Sequence, residues 1–189
     1  LLAFVIMLAL VIASPVGSTV VYDFTENSVS NQHGLQVNDQ IIEVNGKNIH
    51  CFPDMSYKIV SDGIEPVDIK VIRDGKEVYL EDVVFGTETE EGIAFGTLDF
   101  RVYAREKTFT TVISEAFWQS VSTVYMTVDS LIDTFTGRYG IEAVGGPIAV
   151  GGEINNTIQM STTIKETVIN IATLVVMISV SLGVFNLLP

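Results

Sequence analysis

The stretch that decides the fold is Val168 to Pro189, VINIATLVVMISVSLGVFNLLP, which contains no charged residue. A helix rises about 1.5 Å per residue, so about 20 such residues cross a hydrocarbon core of about 30 Å. We therefore predict a membrane span here, in preference to a buried helix of a soluble protein, which usually keeps a polar face. Its polar side chains are of the kind that pack between helices in lipid: Asn170, Thr173, Ser179, Ser181 and Asn186.

The end of this stretch predicts an interruption of the helix. Gly183, Asn186 and Pro189 each disfavour helical structure, and they lie inside the apolar run. Exposed backbone at membrane depth is tolerated only where protein or a water-filled cavity satisfies it. We therefore expect a functional site within the bilayer at this end.

The run Ser179 to Pro189, SVSLGVFNLLP, resembles the start of the third core span of site-2 proteases, which are intramembrane zinc metalloproteases. The resemblance implies that the span continues into a Leu-Asp-Gly, whose Asp is a zinc ligand, beyond Pro189. It also implies that Asn186 holds the substrate backbone while the substrate helix unwinds near the metal. A helix cap beside Gly183 and Pro189 is the alternative role for Asn186.

Composition limits the classes of function. The 189 residues include 23 acidic and 10 basic side chains, for a net charge of −13, and 48% are hydrophobic. Lys and Arg do not cluster as phosphate neutralisation requires, which argues against nucleic-acid binding. The acidic balance favours a non-cytoplasmic location, because Lys and Arg are retained in cytoplasmic loops. Cys51 is the only cysteine, so the chain forms no internal disulfide and no cysteine-based zinc cluster.

The first residues, 1–14, are predicted to be the end of a truncated transmembrane helix. Leu1 to Ala13 is apolar throughout and lacks the Met and the basic start of a signal peptide. Thirteen residues are too few to cross a bilayer. Pro15 and Gly17 then favour the end of the helix.

Residues 15–86 are predicted to form a compact α+β module of short strands and turns. Asn45-Gly46 and Asp74-Gly75 are strong two-residue hairpin signals between segments that alternate polar and apolar residues. Pro53 and Asp54 favour the start of a helix that continues to about Val60.

The module resembles a bacterial-type PDZ domain, as found in site-2 and HtrA-like proteases. The resemblance lies in GLQVNDQIIEVNG, Gly34 to Gly46, in which Asn38 replaces the usual Gly. Asn tolerates positive φ, so the turn can survive this change. The resemblance implies that an extended peptide binds by strand addition, between the Pro53 to Val60 helix and a floor formed by Val16, Gly17, Ser18 and Thr19. The alternative is a blocked groove that acts as a spacer or size filter.

Residues 87–107 are predicted to be a connector, within which Ile93 to Val102 is apolar enough to form a strand. Residues 108–136 are predicted to be an amphipathic helix associated with the membrane. Apolar residues recur at steps of four and three along this helix: Ile113, Phe117, Val121, Val124, Val128, Leu131 and Phe135. A tilted span is the second possibility, although Asp129 and Asp133 are expensive toward lipid. A soluble helix that packs on the module is the third.

Residues 137–166 are predicted to be a loop or linker, followed by the core span at 167–189. Gly145-Gly146-Pro147-Ile148 resembles the Gly-Pro-Ile motif that precedes the last core span of site-2 proteases. Proline and glycine there permit close backbone approach and disfavour regular helix. The order of these parts, with the PDZ-like module before them and Asn-Leu-Leu-Pro after, makes the resemblance specific.

Peptide-bond hydrolysis by the family requires a zinc ion with three protein ligands and a nearby general base. The family takes two His ligands and the Glu base from His-Glu-x-x-His, and that motif does not occur in these residues. His33 and His50 lie in the module and are expected to be surface or turn residues. The sequence therefore predicts that this chain is inactive alone, with zinc held elsewhere in the complete enzyme.

The fold class expected from these arguments is an α+β PDZ-like domain flanked by transmembrane or membrane-associated helices. The resemblance implies an internal fragment of an intramembrane protease that hydrolyses transmembrane segments of membrane proteins, with the PDZ as substrate recognition or gating element. Expected partners are a transmembrane substrate, a peptide ligand of the PDZ and the lipid bilayer. The expected location is a bacterial plasma membrane with the module on the extracytoplasmic side. A membrane-tethered PDZ adaptor without catalysis is the alternative.

Overall fold

A computed structural model describes residues 2–90, 93–135 and 163–187. The chain divides into a helical unit, Leu1–Pro15 with Lys107–Pro189, and a sheet unit, Val16–Glu106. The elements in chain order are α1 (Leu2–Ala13), β1 (Gly17–Phe24), β2 (Gln40–Val44), β3 (Lys47–Asn48), α2 (Phe52–Asp62), β4 (Val67–Arg73), β5 (Lys76–Val83), β6 (Gly86–Glu90), β7 (Ile93–Thr97), β8 (Phe100–Ala104), α3 (Phe109–Phe135) and α4 (Ile164–Leu187). The mixed α+β class expected from the sequence is confirmed.

The helical unit contains α1, α3 and α4, which pack on one another. The start of α4 is fixed by a capping box, in which a Thr side chain and a Glu side chain bond each other's backbone N–H. The Glu166 N–H donates to Thr163 Oγ1 over 3.2 Å, and the Thr163 N–H donates to Glu166 Oε2 over 3.2 Å. The helix therefore starts at Ile164, slightly before the apolar run.

The prediction of an interrupted helix is wrong for the part of α4 that the structure describes. Gly183 and Asn186 are both helical, and α4 continues without a break to Leu187. One glycine inside a helix costs only about 1 kcal/mol, which the backbone hydrogen bonds of a long helix easily exceed. Pro189 lies outside the described residues, so its effect on the helix stays a prediction.

The sheet unit is built on an antiparallel sheet in the order β5-β4-β2-β1-β8, with β3 beside β2. Strands β6 and β7 pair as a separate hairpin. One face of α2 covers the sheet and buries Met55 and Ile59 in the core. Residues of strands β1, β2 and β4 also belong to this core: Val21, Ile41, Val44, Ile69 and Val71.

Turn chemistry places these strands as the sequence predicts. Asn45 and Gly46 have φ of 48° and 75° and connect the paired residues Val44 and Lys47. Positive φ at both central residues is the type I′ geometry that matches strand twist. Asn38 also has a positive φ, 70°, so Asn fulfils the backbone role for which glycine is usual.

Residues 87–107, expected to be a connector, contain most of β6 and all of β7 and β8. Strand β8 joins the main sheet beside β1, with Phe24 opposite Phe100 and Gly17 opposite Ala104. The Arg105 N–H donates to the Val16 carbonyl over 2.8 Å just beyond this pairing. The sheet unit therefore extends to Glu106, and its two ends lie side by side.

Candidate functional site

The first candidate site is a face of α4 that carries small and polar residues. Ser179, Gly183 and Asn186 follow at steps of four and three, which places them on one face of the helix. All three are exposed, and a Cβ built on Gly183 would meet no atom within 4 Å. Asn186 therefore presents an amide beside a position where another backbone can approach α4 closely.

The second part of the expected intramembrane site is the loop Gly145, Gly146, Pro147 and Ile148. These residues lie outside the described part of the chain. Their role in shaping the site stays a prediction that rests on the resemblance.

The described residues do not fit a catalytic zinc. A zinc site needs at least three His, Cys, Asp or Glu ligands at one point, and no such group occurs in residues 2–90, 93–135 and 163–187. His33 lies in a short 3-10 helix (Ser30–His33), and His50 just precedes α2, where its N–H donates to Asp54. Both histidines belong to the sheet unit, so no catalytic step is assigned to metal bound by these residues.

The second candidate site is the proposed peptide groove of the sheet unit. Val16 and Thr19 are buried, and Gly17 lies opposite Ala104 in the pairing of β1 with β8. Strand β1 also pairs with β2 on its other edge, where Val20 lies opposite Gln40. Val16, Gly17, Ser18 and Thr19 thus lie one strand in from the edge, and their contact with a ligand stays a prediction.

Helix α2 closes tightly over these strands at two glycines. A Cβ on Gly17 would lie 3.1 Å from the Phe52 ring and 3.1 Å from a Val102 methyl group. A Cβ on Gly96 of β7 would lie 2.9 Å from Gly63 just after α2, and in contact with the Ile59 carbonyl. Any larger side chain at Gly96 would therefore push α2 and β7 apart.

The sequence indicates a strand over Ile93 to Val102, but it identifies neither β8 as a separate strand nor β1 as the partner of β8. In the described part of the chain, β8 pairs only with β1, and Arg101 and Tyr103 on it are exposed. Tyr103 packs edge-to-face on Tyr22, with ring centroids 4.9 Å apart, and its hydroxyl donates to Asn38 over 3.0 Å. The alternation in FRVYA, with Phe100 and Val102 toward the core, is the signal that could have identified it.

A buried ion pair positions the loop that precedes β2. Arg73 donates to both carboxylate oxygens of Asp39 over 2.7 Å each, and also to the Gly34 carbonyl. Asp39 is fully buried, and it accepts a further bond from the Gln36 N–H. The hydrogen bonds with Asp39 raise the pKa of Arg73 above its already high value, so the Arg73 guanidinium stays charged.

A second buried carboxylate, Asp99, fixes the loop after β1 against the turn before β8. It accepts hydrogen bonds from the Ser28 and Ser30 hydroxyls and from the Val29 and Ser30 N–H groups, over 2.6 to 3.0 Å. A carboxylate with so many donors is well satisfied without a cation. Asp99 thus ties β8 to the chain segment that leaves β1.

Comparison with known proteins gives a consistent result. A family model described as peptidase family M50 matches residues 1–189. The regulator of sigma-W protease RasP of Bacillus subtilis is 26% identical over 194 residues, which cover 100% of this chain and 44% of the relative. The zinc metalloprotease RasP of Bacillus licheniformis is 29% identical over 196 residues, with 100% and 44% covered.

The chain spans about half the length of the curated relatives it matches. The family match nevertheless covers the whole chain, the sheet unit and the helical unit alike. The chain therefore belongs to peptidase family M50, the site-2 type of intramembrane zinc metalloprotease.

Proposed function

We propose that this chain is part of a zinc-dependent intramembrane protease that cleaves transmembrane segments of membrane proteins. The family match over residues 1–189 is the observation that carries the proposal. The zinc ligands and general base would come from residues other than those described here. The exposed face of α4 with Ser179, Gly183 and Asn186 would lie beside the substrate, where the Asn186 amide would hold the substrate backbone.

The helical unit supports a membrane location. Ile164–Val184 is long and apolar enough to cross a bilayer, and only 6% of it is buried inside the protein. A water-soluble protein rarely leaves so much apolar helix surface uncovered. The proposed location is a bacterial plasma membrane, with α1, α3 and α4 associated with the bilayer and the acidic sheet unit on the extracytoplasmic side.

The sheet unit is proposed to act as a PDZ-like element that recognises or gates the substrate. An extended segment of the substrate would add to the open edge of β8, with Val16 to Thr19 on the adjacent strand. The opposite edge of the sheet, β5, is a poorer acceptor because exposed charges border it. These charges are Lys76, Glu77, Glu81 and Asp82.

The proposal is tested by comparing substrate cleavage by the complete wild-type protein with cleavage by its Asn186→Ala variant. The protein is reconstituted in vesicles with a substrate that carries one transmembrane helix, and zinc content and cleavage are measured together. We expect zinc-dependent cleavage by the wild type, and a loss of about 10-fold in the variant, equivalent to one good hydrogen bond. Zinc content should be unchanged. Asn170→Ala, the same substitution near the other end of α4, should cleave at the wild-type rate.

Two results would contradict this proposal. The absence of zinc-dependent cleavage by the wild-type protein would reject the protease function itself. Equal cleavage by Asn186→Ala and the wild type would reject only the role of Asn186, since the family membership does not depend on that residue.

A further inference from the structure

Helix α3 exposes its large apolar side chains and buries two of its polar ones, which is the reverse of the pattern of a helix in a water-soluble protein. Large apolar side chains form one exposed stripe at steps of four and three: Phe109, Ile113, Phe117, Val121, Val124, Val128 and Ile132, between 37% and 82% exposed. Glu115 and Ser122, in contrast, are only 2% exposed. A helix on the surface of a soluble protein buries its apolar stripe and exposes its polar face.

The buried side of α3 belongs to the packing of the helical unit. Helix α3 contacts α1 and α4, and both of these are apolar. Within α3, Gln119 donates to the Glu115 carboxylate over 3.2 Å. Glu115 and Ser122 are thus buried inside the unit, whereas the apolar stripe is exposed.

The charges of α3 leave a long uncharged surface. Between Phe109 and Val128 the only charged residue is Glu115, which is buried. Asp129 comes 20 residues after Phe109, a distance of about 30 Å along a helix and about the thickness of a hydrocarbon core. An exposed charged side chain between Phe109 and Val128 would be costly in lipid, and this part of α3 has no exposed charged side chain.

We propose that the exposed stripe of α3 contacts lipid acyl chains, so that α3 is embedded in the hydrocarbon layer beside α4. It does not lie on the membrane with Glu115 and Ser122 in water, because both side chains are buried in the helical unit. Lipid is assigned to this stripe because α4, which packs against α3, is itself apolar and largely uncovered, so one lipid-facing surface would cover both helices. This inference rests on the membrane location of α4 in the proposed function but does not depend on proteolysis.

Fluorescence quenching of the full chain in phosphatidylcholine vesicles tests the inference. Trp118 is the only tryptophan, so Trp118→Phe gives a background without tryptophan emission. Three reporters are then compared in that background: Phe117→Trp on the stripe, Val175→Trp on α4 and Tyr79→Trp on the sheet unit. Phe117 and Tyr79 are matched, because each is 51% exposed in the folded chain.

Two quenchers report the surroundings of each tryptophan. Brominated phosphatidylcholine quenches from the acyl-chain region, and acrylamide quenches from water. We expect lipid quenching at position 117 within about twofold of that at position 175, since both would face acyl chains. We expect acrylamide quenching at position 117 at least about fivefold weaker than at position 79, since water is excluded from the hydrocarbon core.

The other outcomes overturn the inference in distinguishable ways. Strong acrylamide quenching at 117 with lipid quenching at 175 would show that α3 faces water, while the membrane location of α4 stands. Weak quenching at 117 by both agents would show that protein, such as a second copy of the chain, covers the stripe. Strong acrylamide quenching at both 117 and 175 would reject the membrane location itself, and with it the proposed function.

Discussion

Replacement of Asp39 by asparagine should strongly destabilise the sheet unit. The Asp39 carboxylate is fully buried, and it accepts two bonds of 2.7 Å from Arg73 and one of 2.8 Å from the Gln36 N–H. Loss of one partner of a buried ion pair typically costs about 3–5 kcal/mol. The Arg73 side chain is 23% exposed and regains some hydration, so we expect a cost at the low end, about 3 kcal/mol.

The matched control is Glu43→Gln. Glu43 and Lys70 form an ion pair of the same length, 2.7 Å, but their side chains are 20% and 31% exposed. Exposed pairs contribute about 0–1 kcal/mol, because water screens the charges and holds the side chains nearly as well. The two substitutions remove the same charge, from a carboxylate that is 0% exposed and from one that is 20% exposed, so their difference measures the effect of complete burial.

Hydrogen exchange of the full chain in detergent micelles is the assay. Amides of β4 between Ile69 and Arg73 are protected by pairing with β2 and β5, and their exchange reports the opening of the sheet. A cost of about 3 kcal/mol corresponds to exchange about 100-fold faster in Asp39→Asn, against less than about fivefold in Glu43→Gln. Equal acceleration in the two variants would refute the argument from burial.

Three further substitutions test other contacts. Lys107→Met removes the bonds from Lys107 Nζ to the Ile12 and Ser14 carbonyls, of 2.9 and 2.6 Å, and should cost the end of α1 about 1 kcal/mol, seen as faster amide exchange there. Asp99→Asn leaves some of its buried donors unpaired and should cost about 2 kcal/mol, seen as faster exchange in residues 28–30. For Asp62, burial works to raise the carboxyl pKa, but hydrogen bonds from Ser61, Lys58 and Asn45 outweigh burial and lower the pKa below 3.8. The ionised Asp62 carboxylate therefore contributes to stability above pH 3.8, and this contribution is lost as the pH falls through the lowered pKa. The difference in urea midpoint between the wild type and Asp62→Asn should therefore shrink on acidification. A difference that stays constant with pH would contradict this expectation.

The features that the sequence predicted are those set by local chemistry. Positive φ at Asn45, Gly46 and Asn38 follows from short-range sterics, and these residue types identify it directly. The bounds of α3, Phe109–Phe135, follow from a periodic apolar pattern over many turns. Such signals need no knowledge of the rest of the chain.

The features that the sequence did not predict depend on distant or competing interactions. Strand β8 pairs with β1 about 80 residues earlier, and no local pattern specifies that partner. The acidic run GTETE, Gly86–Glu90, has the composition of a loop, yet it pairs with β7. The apolar stripe of α3 was evident, but periodicity does not show which side packs against protein; the burial of Glu115 does.

At the candidate site, the role of Asn186 stays a prediction, and the interruption of the helix expected beside it is wrong. The short-range preference of Gly183 against helix is smaller than the cooperative gain of extending α4 by another turn. For the groove, Phe52 of α2 lies close to Gly17, and the contact of Val16, Gly17, Ser18 and Thr19 with a ligand stays a prediction. The pairing of this strand with β8 is seen only in the fold.

The chain enters and leaves the sheet unit at one point, where Gly17 lies opposite Ala104 and the Arg105 N–H bonds the Val16 carbonyl. Directly paired strand residues have Cα atoms only about 5 Å apart. A bridge of two or three glycines is long enough to replace everything between them. The sheet unit is thus an inserted domain whose two ends are adjacent, so it can be deleted or replaced by another domain without stretching the chain that precedes Val16 or follows Arg105.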